Sequence, residues 1–251
     1  MPVQSWLRTN REKIEQDLSR SPERWDFSPA FLAQYRVLLP LIQRYVAGKT
    51  IDLGCGTMPF TDLLASRAST YHTLDLRPRS EEVTYVGDIQ NMSMIPDESY
   101  DSALSLEVLE HVQDPWQAAG EIHRILRPGG ILIVSVPHLS RLHEEPHDYF
   151  RFTVYGLQHL LETTGFEVVE IHRKGGLVSF LGHQVSTLLL SAVWPVAVLR
   201  RPVWFLNKWL VTRLWYRVDS LSNRSGIFAL GYVAVARKVP VENRHPRGLA
   251  E

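Results

Sequence analysis

Three short stretches of the chain carry side chains able to do chemistry. HLSRLHEEPHDYFRFT, residues 138–153, sets His138, His143 and His147 among Glu144, Glu145 and Asp148. Neutral imidazole, with a pKa near 6.5, suits proton abstraction. EVLEH sets Glu107, Glu110 and His111 at i, i+3 and i+4, a spacing that on a helical turn gathers three ligand-type groups on one face. IDLGCGTMPF, residues 51–60, holds Gly54 and Gly56 just after Asp52. Glycines there let backbone approach a ligand closely.

Alternating strand and helix patterns position these stretches. Apolar groups three and four apart predict a helix over residues 28–47. TIDLGCGT reads as a strand running into a turn, and FTDLLASR as a short helix. YHTLDL and VTYVGD read as strands ending in Asp75 and Asp88, and YDSALSLEVL as a strand leading into a loop or helix start. PWQAAGEIHRILRPGG is a helix opened by Pro115 and closed by Pro128, Gly129 and Gly130. GILIVSVPH is apolar throughout, as a buried central strand should be. TVYGLQHLLETTG and FEVVEIHR follow as helix and strand, and IFALGYVAVARK as a last strand. The alternation predicts an α/β fold with a mostly parallel sheet. Ligands of such sheets sit beyond the carboxyl ends of the strands. Asp52 to Gly56, Asp75, Asp88, Glu107 and His138 all fall there. A carboxylate at Asp75 can accept two hydrogen bonds from a ribose diol. That fits a dinucleotide or an adenosyl ligand. Met58, standing where a dinucleotide fingerprint is most crowded, weighs against the dinucleotide. Cys55 reads as a small buried filler at the turn.

Taken in order, IDLGCGT, TLDL, GDIQNMSMIPDESYD, LSLEVLEHVQDPWQAAGEIHRILRPGG and ILIVSVPH resemble the class I S-adenosylmethionine-dependent methyltransferases. The similarity is to the type 11 methyltransferase-domain branch, which includes the ubiquinone-biosynthesis O-methyltransferases. It covers roughly residues 45–172, and departs at Met58, where the family usually has a third glycine. The resemblance implies a Rossmann-like seven-stranded sheet with helices on both faces. It also implies site roles. Asp52, Gly54 and Gly56 line the methionine moiety of S-adenosylmethionine, and Asp75 binds the ribose. Asp88 with Ile89 contacts the adenine. Leu106 and Glu107 flank the amino-acid end. In the ubiquinone-type relatives an ExxEH motif is reported as a divalent-metal site; a capping and surface-turn role for Glu107, Glu110 and His111 is the competing reading, and no metal is assigned here. A sulfonium methyl is already activated, so orientation and exclusion of water supply much of the acceleration.

The histidine stretch leaves the fifth strand and leads to a helix capped by Thr153, so it crosses the acceptor side of the cofactor pocket. Three readings stand. His143 or His147 takes a proton from the acceptor. Alternatively, pairs such as His147–Asp148 and Glu144–Arg151 order a closing loop. In the third, His138, His143 and His147 bind zinc, although spacings of five and four match no familiar zinc pattern.

Residues 175–225 break the alternation. Between Glu170 and Asp219 there is no acidic residue, while Arg173, Lys174, Arg200, Arg201, Lys208, Arg213 and Arg217 fall there with four of the seven tryptophans. GLVSFLGHQVSTLLLSAVWPVAVL is long enough to span a bilayer, but its polar residues and proline disfavour spanning. The segment reads as a helical cap over the pocket, with peripheral membrane contact through residues 175–217 as its companion reading. The chain thus divides into an N-terminal helical segment (1–47), a cofactor-binding core (48–174), the insert (175–225), a last strand (226–238) and a flexible tail (239–251).

Composition bounds the rest. Hydrophobic residues are 45% and charged residues 22% of the chain, a globular balance. A formal net charge of +0 removes the global basic field that steers nucleic acid, and no base-methylation signature is present, so nucleic acid is not an expected partner. A single cysteine fits a reducing compartment, and the first twenty residues lack the apolar stretch of a signal peptide. The expectation is a cytoplasmic protein, peripheral at the membrane if the insert docks. It transfers a methyl group from S-adenosylmethionine to an oxygen or nitrogen of a small or lipid-linked acceptor. The alternatives are a non-catalytic methyltransferase-like binding domain and an NAD(P)-binding oxidoreductase.

Overall fold

The computed structural model describes residues 3–19, 21–223 and 226–239. Helix α1 (Val3–Asp17) leads through a 3-10 turn (Pro22–Asp26) to α2 (Pro29–Tyr45). Ser28 caps α2, its hydroxyl oxygen accepting from Phe31 N, with Pro29 pre-set for the first turn. Then follow β1 (Lys49–Leu53), α3 (Thr61–Arg67), β2 (Thr70–Asp75), β3 (Tyr85–Val86) and β4 (Tyr100–Leu106). A 3-10 turn (Leu109–His111) precedes α4 (Pro115–Ile125), β5 (Leu126–Pro137), α5 (Val154–Thr163) and β6 (Phe166–Lys174). The insert forms α6 (Leu177–Val193), α7 (Ala197–Leu206), a π-helical segment (Asn207–Arg213) and α8 (Leu214–Ser222), before β7 (Gly231–Lys238). The expected tail lies, beyond Val239, outside the described residues.

The sheet order is β3-β2-β1-β4-β5-β7-β6. All neighbours from β3 to β5 are parallel, and β7 enters antiparallel between β5 and β6. The winding reverses between β1 and β4, which makes their carboxyl ends the natural ligand crevice. Two apolar layers clamp the sheet. One face carries Ile51, Leu53 and Val134 under Ile122 and Leu160. The other carries Leu104, Ile133 and Val235 under Leu38, Ile42 and Leu64. A third, smaller cluster of Ile14, Phe27 and Leu190 joins α1 to α6.

Local readings shift in three places. The helix expected to close at Pro128–Gly130 ends at Ile125, and LRPGG opens β5 instead. Leu126 pairs with Tyr100 and Ile131 with Ser102, so the glycines are absorbed in a bulge. VTYVGD contributes only Tyr85–Val86 to the ladder, because β3 is an edge with one neighbour. EVLEH is not one helical face: Glu107 has a left-handed φ of 58°, and only Leu109–His111 turn as a 3-10 helix. Among the described residues no helix is long and apolar enough to cross a membrane.

Candidate functional site

The glycine turn sits at the end of β1. Gly54 has φ 70° and Gly56 φ 52°, conformations that cost L side chains about 1–2 kcal/mol. A Cβ on Gly54 would lie 2.4 Å from Val108 Cγ2. Beside Gly56 the space is open, the nearest atom to a built Cβ being Gly54 O at 4.0 Å. Met58 takes φ 56° in the position where a third glycine was expected, and its side chain is buried. The turn therefore keeps a left-handed residue there while the thioether fills the core. Cys55 is buried and its thiol is pushed up to about 12 by that burial. It has the character of an inert filler.

Three carboxylates stand at or after the ends of β1, β2 and β3. Asp75 accepts from Gly56 N at 2.8 Å and from Arg77 N at 2.8 Å, so it ties the end of β2 to the turn. Asp52 is 4% exposed. Burial pushes its carboxyl up to about 7, against the hydrogen bond that Tyr71 donates from 3.2 Å. Asp88 accepts from the backbone and side-chain nitrogens of Gln90, while the Ile89 side chain is committed to the core. The arrangement fits an adenosyl ligand with a cationic end. Backbone is bare at Gly56, a carboxylate stands at the neighbouring strand end, and Asp52 is a buried acid.

Glu107 follows β4 at the same crevice. Its side chain accepts from Ser135 Oγ at 2.7 Å and is paired with Lys174, at the end of β6. Burial works against ionisation of Glu107, but the Lys174 ammonium and Ser135 outweigh it and hold the carboxyl below the usual range. The partly buried Leu106 packs on the α2–α3 layer.

Glu107 and Lys174 open onto a cavity of about 220 Å³ that also meets Arg11, Phe31, His143 and Phe180. It is roofed by α6, whose Gln184 and His183 line it too, so the insert covers this part of the sheet edge. Nη1 of Arg11 is buried and makes no hydrogen bond. His183 is half-buried, shares a hydrogen bond between Nδ1 and Ser28 Oγ at 2.9 Å, and is pushed down to about 3 by burial.

The histidine loop is ordered by Asp148. Arg151 donates to both its oxygens, at 2.6 and 2.7 Å, and His143 N donates at 2.9 Å. These bonds, Arg151 foremost, push the carboxyl down to about 2. The loop is fastened below through Tyr149 N to Glu110 O at 2.8 Å and Phe152 N to Pro137 O at 3.1 Å. The expected pairs are thus exchanged: Asp148 is clamped by Arg151, and Glu144 pairs with Arg79.

The three histidines do not converge. His138 packs beside Tyr232. His147 makes bonds to Arg77 and Tyr149. Only His143 reaches the cavity. Its Nε2 lies 3.8 Å from Glu110 and its Nδ1 3.4 Å from Asp148. Proximity to Glu110, with Asp148 behind it, raises the His143 pKa above the ordinary imidazole range and outweighs burial.

Glu110 is the group the sequence did not single out as His143's partner. Its side chain is fully buried and neither oxygen makes a hydrogen bond. Burial pushes its carboxyl up, and His111 Nε2 stands 3.5 Å away. Ligand-type atoms of Glu110, His111 and His143 lie within 4.8 Å of one another, and this is the group among the described residues that could hold a cation. His143 replaces Glu107 in it because Glu107 turns away to Lys174. Lys174 and Arg11 were also missed. Lys174 carries the strand-end signal once β6 is placed in the sheet. Arg11 carries none, since α1 reaches the cavity only through packing on α6.

The sequence profile of a family described as a methyltransferase domain matches residues 51–134. A probable S-adenosylmethionine-dependent methyltransferase of Mycolicibacterium smegmatis is 32% identical over 183 residues, covering 61% of this chain and 70% of that protein. The ubiquinone biosynthesis O-methyltransferase of Pseudomonas paraeruginosa is 27% identical over 131 residues, 47% of this chain and 54% of its own, so the chain spans about half its length. The crystal structure of Burkholderia thailandensis 1,6-didemethyltoxoflavin-N1-methyltransferase, with its substrate and S-adenosylhomocysteine bound, superposes with a TM-score of 0.53 at 16% identity. That match covers 96% of this chain and 92% of the other, and at this identity the likeness is one of fold. The chain belongs to the class I S-adenosylmethionine-dependent methyltransferases, enzymes that take S-adenosylmethionine as their cofactor.

Proposed function

We propose that the protein transfers a methyl group to an oxygen or nitrogen of a small or lipid-like acceptor held in the cavity beneath α6, with His143 receiving the acceptor's proton. One observation carries this reading: His143 lines the same cavity as Glu107 and is flanked by two carboxylates that increase its basicity. The cofactor supplies an activated methyl group on a sulfonium. Asp52, Gly54 and Gly56 then hold its methionine portion. Asp75 takes the ribose hydroxyls. Asp88 takes the adenine amine, with Ile89 contributing backbone only. Leu106 and Glu107 border the amino-acid end, where the Lys174 ammonium leaves Glu107 ionised. Phe31 and Phe180 wall the acceptor side and exclude water.

The test replaces His143 and His147 separately by Ala. His143→Ala should lose about 10²–10⁴-fold in turnover, the contribution of a positioned base, while S-adenosylhomocysteine binding is kept. His147→Ala should lose less than about tenfold, because its ring is engaged by Arg77 and Tyr149. Equal small losses would leave the loop as a closure device only. Calorimetry with S-adenosylhomocysteine and NADPH separates this reading from the oxidoreductase. Methyl incorporation from labelled cofactor separates it from a binding domain.

A second reading comes from the cluster of Glu110, His111 and His143. A divalent ion there would orient an acceptor hydroxyl in place of a free base. Bound metal in the purified protein, with activity lost to a chelator and restored by the ion, would establish it.

A further inference from the structure

The insert helices are turned inside out. In α6 the buried positions are Ser179, Gly182, Ser186, Leu190 and Ser191, four of the five small or polar, whereas Leu177, Leu181, Val185 and Leu188 are exposed. The pattern repeats in the next helix, where α7, the π-helical segment and α8 run on through right-handed helical junctions. Among its described residues the buried ones are Asn207, Thr212 and Asp219. Asn207 Nδ2 donates to Phe27 O at 2.9 Å, and Thr212 Oγ1 to Asp26 O at 2.9 Å. Asp219 accepts from Val178 N at 3.0 Å and Ser179 Oγ at 2.8 Å. Outward stand Val198, Phe205, Trp209, Leu214, Val218 and Leu221, between 44% and 80% exposed. Their steps of three, four, five and seven make one stripe. The single five-residue step, from Trp209 to Leu214, crosses the π segment, whose wider turn absorbs the extra residue.

A surface helix normally buries its apolar stripe and exposes its polar one. Here small and polar residues face inward, Ser179, Asn207, Thr212 and Asp219 among them hydrogen-bonded, and the apolar stripe faces out over two helices, an arrangement that marks a contact with something apolar. The charge on this face indicates the partner. No acidic residue occurs between Glu170 and Asp219, and Asp219 is buried. Arg201 and Arg217 are exposed beside the stripe, while Lys208 and Arg213 pair with Asp26. A second copy of this chain, docked about a twofold axis, would set arginine against arginine with no carboxylate on the face to compensate. An anionic bilayer supplies both hydrocarbon and negative charge.

We infer that the outer face of α6 and of the α7–α8 helix is a docking surface for an anionic phospholipid membrane, on which the helices lie in the plane of the headgroups. The face adjoins the acceptor cavity. Phe180 and Gln184 line the cavity, while Leu181 and Val185, the next residue after each, point outward. The inference does not depend on which group accepts the methyl.

The test sediments the full chain with vesicles of phosphatidylcholine alone, or with about 30% phosphatidylglycerol added. The wild type should pellet with the anionic vesicles, less with the neutral ones, and less again in high salt. Brominated acyl chains should quench its tryptophan emission, a readout that needs no variant. Phe205→Glu with Trp209→Glu should abolish sedimentation, and Arg201→Glu with Arg217→Glu should weaken it at least about tenfold. Both double variants should keep S-adenosylhomocysteine binding. Failure of the wild type to pellet with anionic vesicles overturns the inference. So does sedimentation unchanged in Phe205→Glu with Trp209→Glu, or a soluble dimer that this variant dissolves without any vesicle binding.

Discussion

At the residue scale the site turns on proton and charge placement. His143 is held above the ordinary imidazole range by Glu110 and Asp148. It is therefore protonated at low pH, and a reaction that uses it as base gains rate as pH rises through its raised pKa. Glu110→Gln removes the larger cause, so the acidic limb of the pH–rate profile should move to lower pH. A purely structural role for Glu110 would lower activity without moving that limb. Arg11 supplies a second test. Its Nη1 is a buried donor without a hydrogen bond beside the cavity, suited to a carbonyl, hydroxyl or anionic oxygen of an acceptor. Arg11→Met should raise the acceptor KM roughly tenfold or more, the worth of a charged hydrogen bond, with kcat little changed. A split in the opposite sense would remove Arg11 from acceptor binding. The candidate residues at strand ends were legible in the sequence because polar groups closing apolar runs are few. The pairing of Glu110 with His143 was not, since it joins a 3-10 turn to a loop more than thirty residues on.

At the element scale the turn after β1 is the most demanding piece. Gly54 combines a left-handed φ with close approach of Val108. Gly54→Ala should destabilise the fold by about 2 kcal/mol and weaken S-adenosylhomocysteine binding, read by denaturation and calorimetry. Adding Val108→Ala should recover the part due to collision and leave the part due to backbone strain. The glycines announced this turn in the sequence. Met58 did not announce that a non-glycine residue can hold the third left-handed position, because that depends on a core site for its side chain. Thr153 was a recognisable cap and accepts the bond its position predicts, from Gly156 N; α4, expected to open at Pro115, is capped in the same way by Asp114, which accepts from Gln117 N. The start of β5 was misread as helix end for a local reason. LRPGG carries helix-stop residues, and whether they stop a helix or bulge a strand is decided by Tyr100 across the ladder.

At the scale of the whole molecule, the insert is joined to the core through residues 26–28. Asp26 holds Lys208 and Arg213, and Ser28 bonds His183. Burial pushes the His183 imidazole down to about 3 in the fold, against about 6.5 when unfolded. The unfolded chain therefore binds the proton first. This contribution to stability is full above about pH 6.5 and is lost as pH falls toward about 3. Asp148, pushed down to about 2, begins to matter only below about pH 4. Asp52, with its carboxyl raised to about 7, works in the opposite sense over the same range, so the wild-type denaturation midpoint should change little between about pH 6.5 and 4.5, and in His183→Gln it should rise as pH falls. An unchanged slope in the variant would show that His183 is not the group titrating.

The sequence by itself determined the α/β class, the glycine turn, the order of strand-end carboxylates and the family they resemble. Those features are local: period, punctuation and spacing are written along the chain. Only the tertiary structure decided that His143 lines the cavity while His138 and His147 do not, that Lys174 neutralises Glu107, and that the insert turns serines and Asn207 inward and leucines outward. Each of these depends on which distant segment fills the other side. Residue 10 meets residue 191, and residue 107 meets residue 174. Such choices are made by the closing of the sheet and its cap, where packing and charge compensation act together.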